Sequence, residues 1–311
     1  MDSSARNGRN RRVVIVKDRR SVWLALVAAA WALALPGCTV SKEVPPAVAA
    51  PPAPSRLSIP ASGPVAVSLT PSINRPVSPD LLAFGKRVYE KQCAACHGSD
   101  GRGEGEAAYL LYPKPRDFTA GKYALVSTWD RVPTDEDLFQ TVSRGMPGSA
   151  MPSWGHLTEE ERWGLVHYVK SFTEKPWTVP ASADPKSEGA MGQGVVRVPP
   201  EPPFTPEVRA RALERYADAC ASCHGKTGRG DGTEVQKDDK GYPTRPRDLT
   251  LGVFKGTHDP AALYRRIVAG MPGSPMPMSD WAFGEDAWHL VHLIRSWSSD
   301  EQRARAEMLK F

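Results

Sequence analysis

An all-α fold, built as two tandem domains joined by a Pro-rich linker, is what the sequence predicts, and three observations lead there. Apolar residues recur at helical spacing, as at Leu81, Phe84, Gly85, Val88 and Tyr89. No stretch of any length alternates apolar and polar residues as a half-buried strand would. The chain also repeats itself: two segments of about 95 residues carry the same marks in the same order.

Taken from the start, residues 1–37 read as a lipoprotein signal peptide. A cationic opening is followed by the apolar run "VWLALVAAAWALAL" and then by "LPGC", ending at Cys38. Fourteen apolar residues fall short of the roughly 20 that span a bilayer. Leu35, Pro36, Gly37 and Cys38 resemble a bacterial lipobox, which implies lipidation of Cys38 and an anchor on the periplasmic side of a bacterial membrane. An ordinary signal peptide or an uncleaved anchor is the alternative.

Charge supports removal of this segment. The net charge of +5 comes from seven Arg and Lys against two acids within residues 1–37, and beyond them 33 basic residues face 33 acidic ones. No basic footprint for nucleic acid remains, so nucleic-acid binding is excluded.

Residues 38–79 are dominated by Pro, Ala, Val and Ser and read as a tether. Behaving as a flexible coil, about 40 residues would span roughly 35 Å on average. The first repeat occupies 80–175, a second Pro-rich stretch occupies 176–205, the second repeat 206–300, and residues 301–311 form a C-terminal tail. Tyr89, Cys93, Cys96 and His97 recur at Tyr216, Cys220, Cys223 and His224, an offset of 127. "KPRDFTAGKY" from Lys114 recurs as "RPRDLTLGVF" from Arg245, "RGMPGSAMP" as "AGMPGSPMP", and "WGLVHYVKSF" as "WHLVHLIRSW". The offset drifts to 131 and then to 125, so the copies differ by insertions and deletions in loops. Thr134 with Asp137, Thr158 with Glu161, and Asp259 with Pro260 are helix starts.

Four uses compete for the cysteine pairs. A thioredoxin-like redox pair needs a βαβ setting that is missing here. A zinc site would require the two copies to pool ligands although each has its own downstream features. A disulfide between cysteines three apart closes a strained loop. Covalent haem attachment uses all three residues of each C-x-x-C-H. On one helical turn both thiols point the same way, each to meet one vinyl group, and the histidine that follows is directed under the ring towards iron. The expected attachment points are Cys93, Cys96, Cys220 and Cys223, with His97 and His224 on the iron, giving two haem c groups.

On these motifs both repeats resemble class I c-type cytochromes, in a di-haem, lipid-anchored form. The resemblance implies an N-terminal helix crossing a C-terminal helix, with Gly85 or Ala212 permitting close approach and Trp163 or Trp288 in the contact. It also implies a methionine as sixth ligand, in a Met-Pro followed by an aromatic residue; Met151 and Met276 fit, with Met146 and Met271 as alternatives and Met278 a further one. The matched His167 and His292 compete as ligands against a partly exposed structural role. His156, His258 and His289 have no counterparts and read as solvated surface. Arg116 and Arg247, each in "PRD", either contact haem propionates or pair locally with Asp117 and Asp248.

With both faces of each iron filled, the expected function is single-electron transfer rather than catalysis. The expected partners are redox proteins of the periplasm or inner membrane: an oxidase, reductase or dehydrogenase of a respiratory chain. The rivals are a haem enzyme, such as a di-haem peroxidase or thiosulfate-oxidising cytochrome, and a fixed electron-transfer subunit of a membrane oxidoreductase.

Overall fold

A computed structural model describes residues 71–179 and 193–308, so the leader, Cys38 and most of the tether lie outside the described residues. The fold is mainly helical. The first repeat runs through α1 (Pro79–Gln92), α2 (Ala94–His97), α3 (Asp135–Arg144) and α4 (Glu159–Lys170). The second repeats the order in α5 (Pro206–Ala219), α6 (Ala221–His224), α7 (Pro260–Ala269) and α8 (Glu285–Arg295), and α9 (Asp300–Met308) follows.

Side-chain caps start the helices where the sequence signals them. Ser78 and Thr205 accept from the Leu81 and Val208 amides, each just ahead of a first-turn proline. Thr134 with Asp137 and Thr158 with Glu161 close full capping boxes on α3 and α4. Asp259 caps α7 through the Ala262 amide. Glycines at positive φ, Gly145 and Gly270, end α3 and α7.

In each repeat the first and last helices cross. A Cβ at Gly85 would overlap the Gly164 backbone, so α1 and α4 approach backbone to backbone. The equivalent positions in the second repeat are Ala212, fully buried, and His289. The third helix then packs a ring against the last: Phe139 on Trp163 with centroids 4.9 Å apart, and Tyr264 on Trp288 at 5.4 Å. Burying each such side chain contributes about 1.5–3 kcal/mol, which makes these contacts the main hold on α3 and α7.

Two segments depart from the sequence reading. The end of the Pro-rich 176–205 stretch is built into the fold rather than acting as a spacer. Val195 bridges Thr128, Val196 donates to the Ser127 carbonyl at 2.7 Å, and the Val196 carbonyl accepts from Arg265 Nε at 3.1 Å. Val196 is wholly buried, because two adjacent valines between prolines provide apolar surface that the repeats can share. The C-terminal tail begins as helix α9, held by Arg303, whose guanidinium donates to the carbonyls of Arg295 and Ser298 and pairs with Asp300.

The four-residue excess that shifts the repeat offset to 131 becomes a small hairpin in the second copy. Strands β1 (Gln236–Lys237) and β2 (Pro243–Thr244) pair antiparallel around a turn in which Asp238 accepts from the Lys240 and Tyr242 amides.

Candidate functional site

Each C-x-x-C-H lies on a sharp corner. Cys93 ends α1 and its carbonyl accepts from the Cys96 and His97 amides at 3.1 and 2.9 Å, so Ala94–His97 forms one turn of helix. Gly98, at φ +78°, stops it. Cys220 repeats the arrangement for Cys223 and His224, with Gly225 at the same φ. Cysteines three apart on such a turn share a face. All four thiols are free. Burial, with the second cysteine of the pair adding, pushes Cys93 up to about 12 and Cys220 up to about 11. Cys93 and Cys220 thus stay protonated at neutral pH, unlike the lowered thiol of a redox pair. Among the described residues no cluster of three or more His, Cys, Asp or Glu side chains is arranged to hold a metal ion.

Burial pushes the His97 imidazole below the ordinary histidine range, and the Arg116 charge adds to the effect. Its Nδ1 lies 3.1 Å from the Arg116 carbonyl. A neutral ring that donates there from Nδ1 presents a lone pair at Nε2, the orientation of a metal-ligating histidine. Phe118 stacks on the ring with centroids 4.5 Å apart. Burial lowers His224 likewise; its Nδ1 interacts more loosely with the Arg247 backbone, short of full hydrogen-bond geometry.

The two methionines of each "MPGSxM" close one tight loop after the third helix. The Met146 amide donates to the Met151 carbonyl, and Met271 to Met276, both at 3.1 Å. Ser149 and Ser274 fill each loop by donating from amide and hydroxyl to the Met146 and Met271 carbonyls. Met271 is buried in protein, while Met276 and, in the first repeat, both Met146 and Met151 are half-buried.

Positive charge collects where the repeats meet. Burial is the main cause that lowers Lys255 to about 8, and the charges of Arg247, Arg116 and Arg266 lower it further. Arg266 falls to about 10, through burial and then Arg144. The Nε atoms of Arg247 and Arg266 are buried without a hydrogen-bond partner. Asp239, 3.7 Å from Arg116, offsets only part of this charge. Half-buried cations with too few counter-ions among the described residues call for an anionic group. The residues present fit a haem: the paired thiols could take its vinyl groups, the imidazole its iron and the nearby cations its carboxylates.

Neither "PRD" arginine pairs with its own aspartate. Asp117 accepts instead from the Thr119 amide and hydroxyl and from Lys240, and Asp248 accepts from Thr250. The arginines cross to the other repeat: Arg116 Nη1 donates to the Gly273 carbonyl at 3.3 Å, and Arg247 Nη2 to Pro147 and Gly148 at 3.1 and 3.2 Å.

The remaining histidines sort by contact. His167 is buried, with Nε2 2.7 Å from the Arg75 carbonyl, and His292 Nε2 lies 3.4 Å from Glu201 while its ring stacks on Phe204. His156 is exposed and His258 half-buried. His289, expected on the surface, is only 4% exposed. It takes the place of Gly164 at the helix crossing, a position the first repeat reserves for bare backbone. Lys255, Arg266 and the hairpin acids escaped sequence reading; the offset drift was the one signal that pointed to the hairpin.

Among the described residues no helix is long and apolar enough to cross a membrane. Two family profiles match the chain: "Cytochrome C oxidase, cbb3-type, subunit III" over residues 80–169 and "Cytochrome c" over residues 210–298. Among curated proteins the chain is similar to the cbb3-type cytochrome c oxidase subunit FixP of Sinorhizobium medicae, 25% identical over 167 residues that cover 50% of this chain and 44% of the relative. It is also similar to the cbb3-type cytochrome c oxidase subunit CcoP of Azospirillum sp., 23% identical over 232 residues, or 69% of this chain and 54% of the relative. The chain thus spans about half the length of these curated relatives. Among solved structures it resembles a chain titled as the Kuenenia stuttgartiensis reducing HAO-like protein complex Kustc0457/Kustc0458. That match has a TM-score of 0.62 and 36% identity, covering 73% of this chain and 100% of the other.

Proposed function

Because the chain belongs to the c-type cytochromes, with two tandem cytochrome c domains, we propose that it is a di-haem carrier of single electrons between redox proteins of the periplasm or inner membrane. The observation that carries this reading is the duplicated corner at Cys93–His97 and Cys220–His224. Two thiols and an imidazole that burial keeps neutral occupy one turn there, beside a cationic junction that needs anions.

Bound haem supplies one-electron chemistry at iron. Cys93 with Cys96, and Cys220 with Cys223, would hold the two groups through thioether bonds. His97 and His224 would present Nε2, and at His97 the Arg116 carbonyl fixes the ring tautomer from the other side. Met151 and Met276 are assigned as sixth ligands. Met271 is packed within protein, whereas Met276 is half-buried. A thioether favours the ferrous state and raises the potential. The junction cations would meet the carboxylates. Export by the leader and a lipid at Cys38 would hold the carrier on the periplasmic side of a bacterial membrane.

A second reading is favoured by the comparisons. One of the two matched profiles and the curated relatives are named as oxidase subunits, and the structural neighbour is titled as part of a complex. In that reading the chain is a fixed electron-transfer subunit of a membrane oxidoreductase.

Mass spectrometry of mature protein unfolded in acidic organic solvent tests the carrier reading. Two tetrapyrrole adducts are expected, with one lost in each of the double variants Cys93→Ser/Cys96→Ser and Cys220→Ser/Cys223→Ser; a bare chain overturns it. Co-purification of an oxidoreductase from detergent-solubilised membranes favours the second reading, and recovery of the chain alone the first.

A further inference from the structure

The crossed arginines bind a specific place in the opposite repeat. Arg116 reaches Gly273 and Arg247 reaches Gly148, glycines at equivalent positions of the two methionine loops, 125 residues apart. Both glycines have positive φ, +70° at Gly148 and +71° at Gly273. A Cβ at either would collide with the incoming guanidinium, so each loop keeps the space that the other repeat's arginine fills. Two independent copies of one motif making the same exchange is not a chance surface contact. Each arginine also has a second attachment. Its own backbone carbonyl faces the imidazole Nδ1 of its own repeat, at 3.1 Å from His97 and more loosely at His224. One residue therefore touches the histidine of one site with its backbone and the methionine loop of the other with its side chain.

Resting on the haem reading above, we propose that Arg116 and Arg247 are crossed positioning residues: Arg116 holds the loop that presents Met276, and Arg247 holds the loop that presents Met151. The firmness of each methionine–iron bond is then set from the neighbouring repeat, and the two sites are mechanically linked. The contacts are unequal. Arg247 donates to two carbonyls, while Arg116 donates to one and is steadied by Asp239 in the hairpin that the second repeat alone carries. A charged donor to a backbone carbonyl is strong enough that its loss changes a local opening equilibrium by about tenfold.

The test uses full-length protein carrying both haems, with Arg116→Leu and Arg247→Leu. The readouts are the methionine methyl resonances of the reduced form and the rate at which cyanide displaces methionine in the oxidised form. Loss of one resonance set in Met151→Leu and of the other in Met276→Leu assigns each signal to its site. Arg116→Leu is expected to shift the Met276 resonances and speed cyanide binding there by about tenfold, with the Met151 site changed by less than about twofold. Arg247→Leu is expected to do the mirror image. An effect confined to the arginine's own repeat, or none at either site, overturns the proposal while leaving the carrier reading intact; absence of haem from the parent protein fails that reading instead. Should a leucine variant not be recovered with two haems, Arg116→Lys and Arg247→Lys keep the charge without the planar fork. They carry the same crossed signature at about threefold, and a same-repeat effect in them is equally fatal.

Discussion

The Tyr89 hydroxyl donates to the Gly98 carbonyl at 2.7 Å, and its counterpart Tyr216 donates to Gly225 at 2.9 Å. Each bond ties the first helix of a repeat to the glycine that stops the C-x-x-C-H turn, so the tyrosine braces the corner from which both thiols project. Tyr89→Phe leaves a buried carbonyl without its donor and is expected to cost about 1 kcal/mol. Denaturant unfolding of the haem-loaded protein checks it, and a wild-type midpoint would show that the brace is idle.

The crossing of α1 on α4 depends on bare backbone at Gly85 and Gly164. Gly85→Ala forces the helices apart and is expected to destabilise the first repeat by about 2 kcal/mol. The second repeat already accommodates Ala212, so thermal unfolding should split into two steps, the earlier one belonging to the first repeat. A single unchanged transition would contradict this packing.

Replacing Met276 with His substitutes a nitrogen donor for the thioether. The potential of one haem is expected to fall by on the order of 0.1 V, within the roughly 0.8 V that axial ligands span. Met271→His should leave both potentials near their original values, because Met271 is committed to the core. Redox titration of the two variants decides between the methionines of this loop.

Burial by itself would push the Asp117 carboxyl up, but hydrogen bonds from Thr119 and Lys240 outweigh it and hold the group below the ordinary carboxylate range. A carboxylate lowered by folding contributes stability above its unfolded value, and that contribution is lost as pH falls through the folded value. Asp117→Asn is therefore expected to lower stability at neutral pH and to flatten the fall on the acid side, the two proteins converging as pH drops below about 4. The difference should stay under about 1 kcal/mol because Lys240 is a third exposed. Unfolding free energy measured from pH 3 to 7 gives the answer.

Val196 is wholly buried between the repeats. Val196→Asp puts a carboxylate there and is expected to cost more than about 3 kcal/mol. Were residues 193–205 merely a spacer, the substitution would be silent in thermal unfolding.

The sequence by itself determined what is local. Helix starts at Thr134, Thr158 and Asp259, the corner at each C-x-x-C-H and the duplication are all encoded within a few neighbouring residues, because capping and turn hydrogen bonds join atoms three or four positions apart. Only tertiary structure decided where Arg116 and Arg247 point, since their partners lie 157 and about 100 residues away and nothing in "PRD" separates a local aspartate from a distant carbonyl. The same holds for His289, whose side chain is buried by the angle at which two helices meet, and for the hairpin, whose acids acquire a role only once the other repeat is beside them. Burial and long-range charge are properties of packed surfaces, and they come into being when the chain closes on itself.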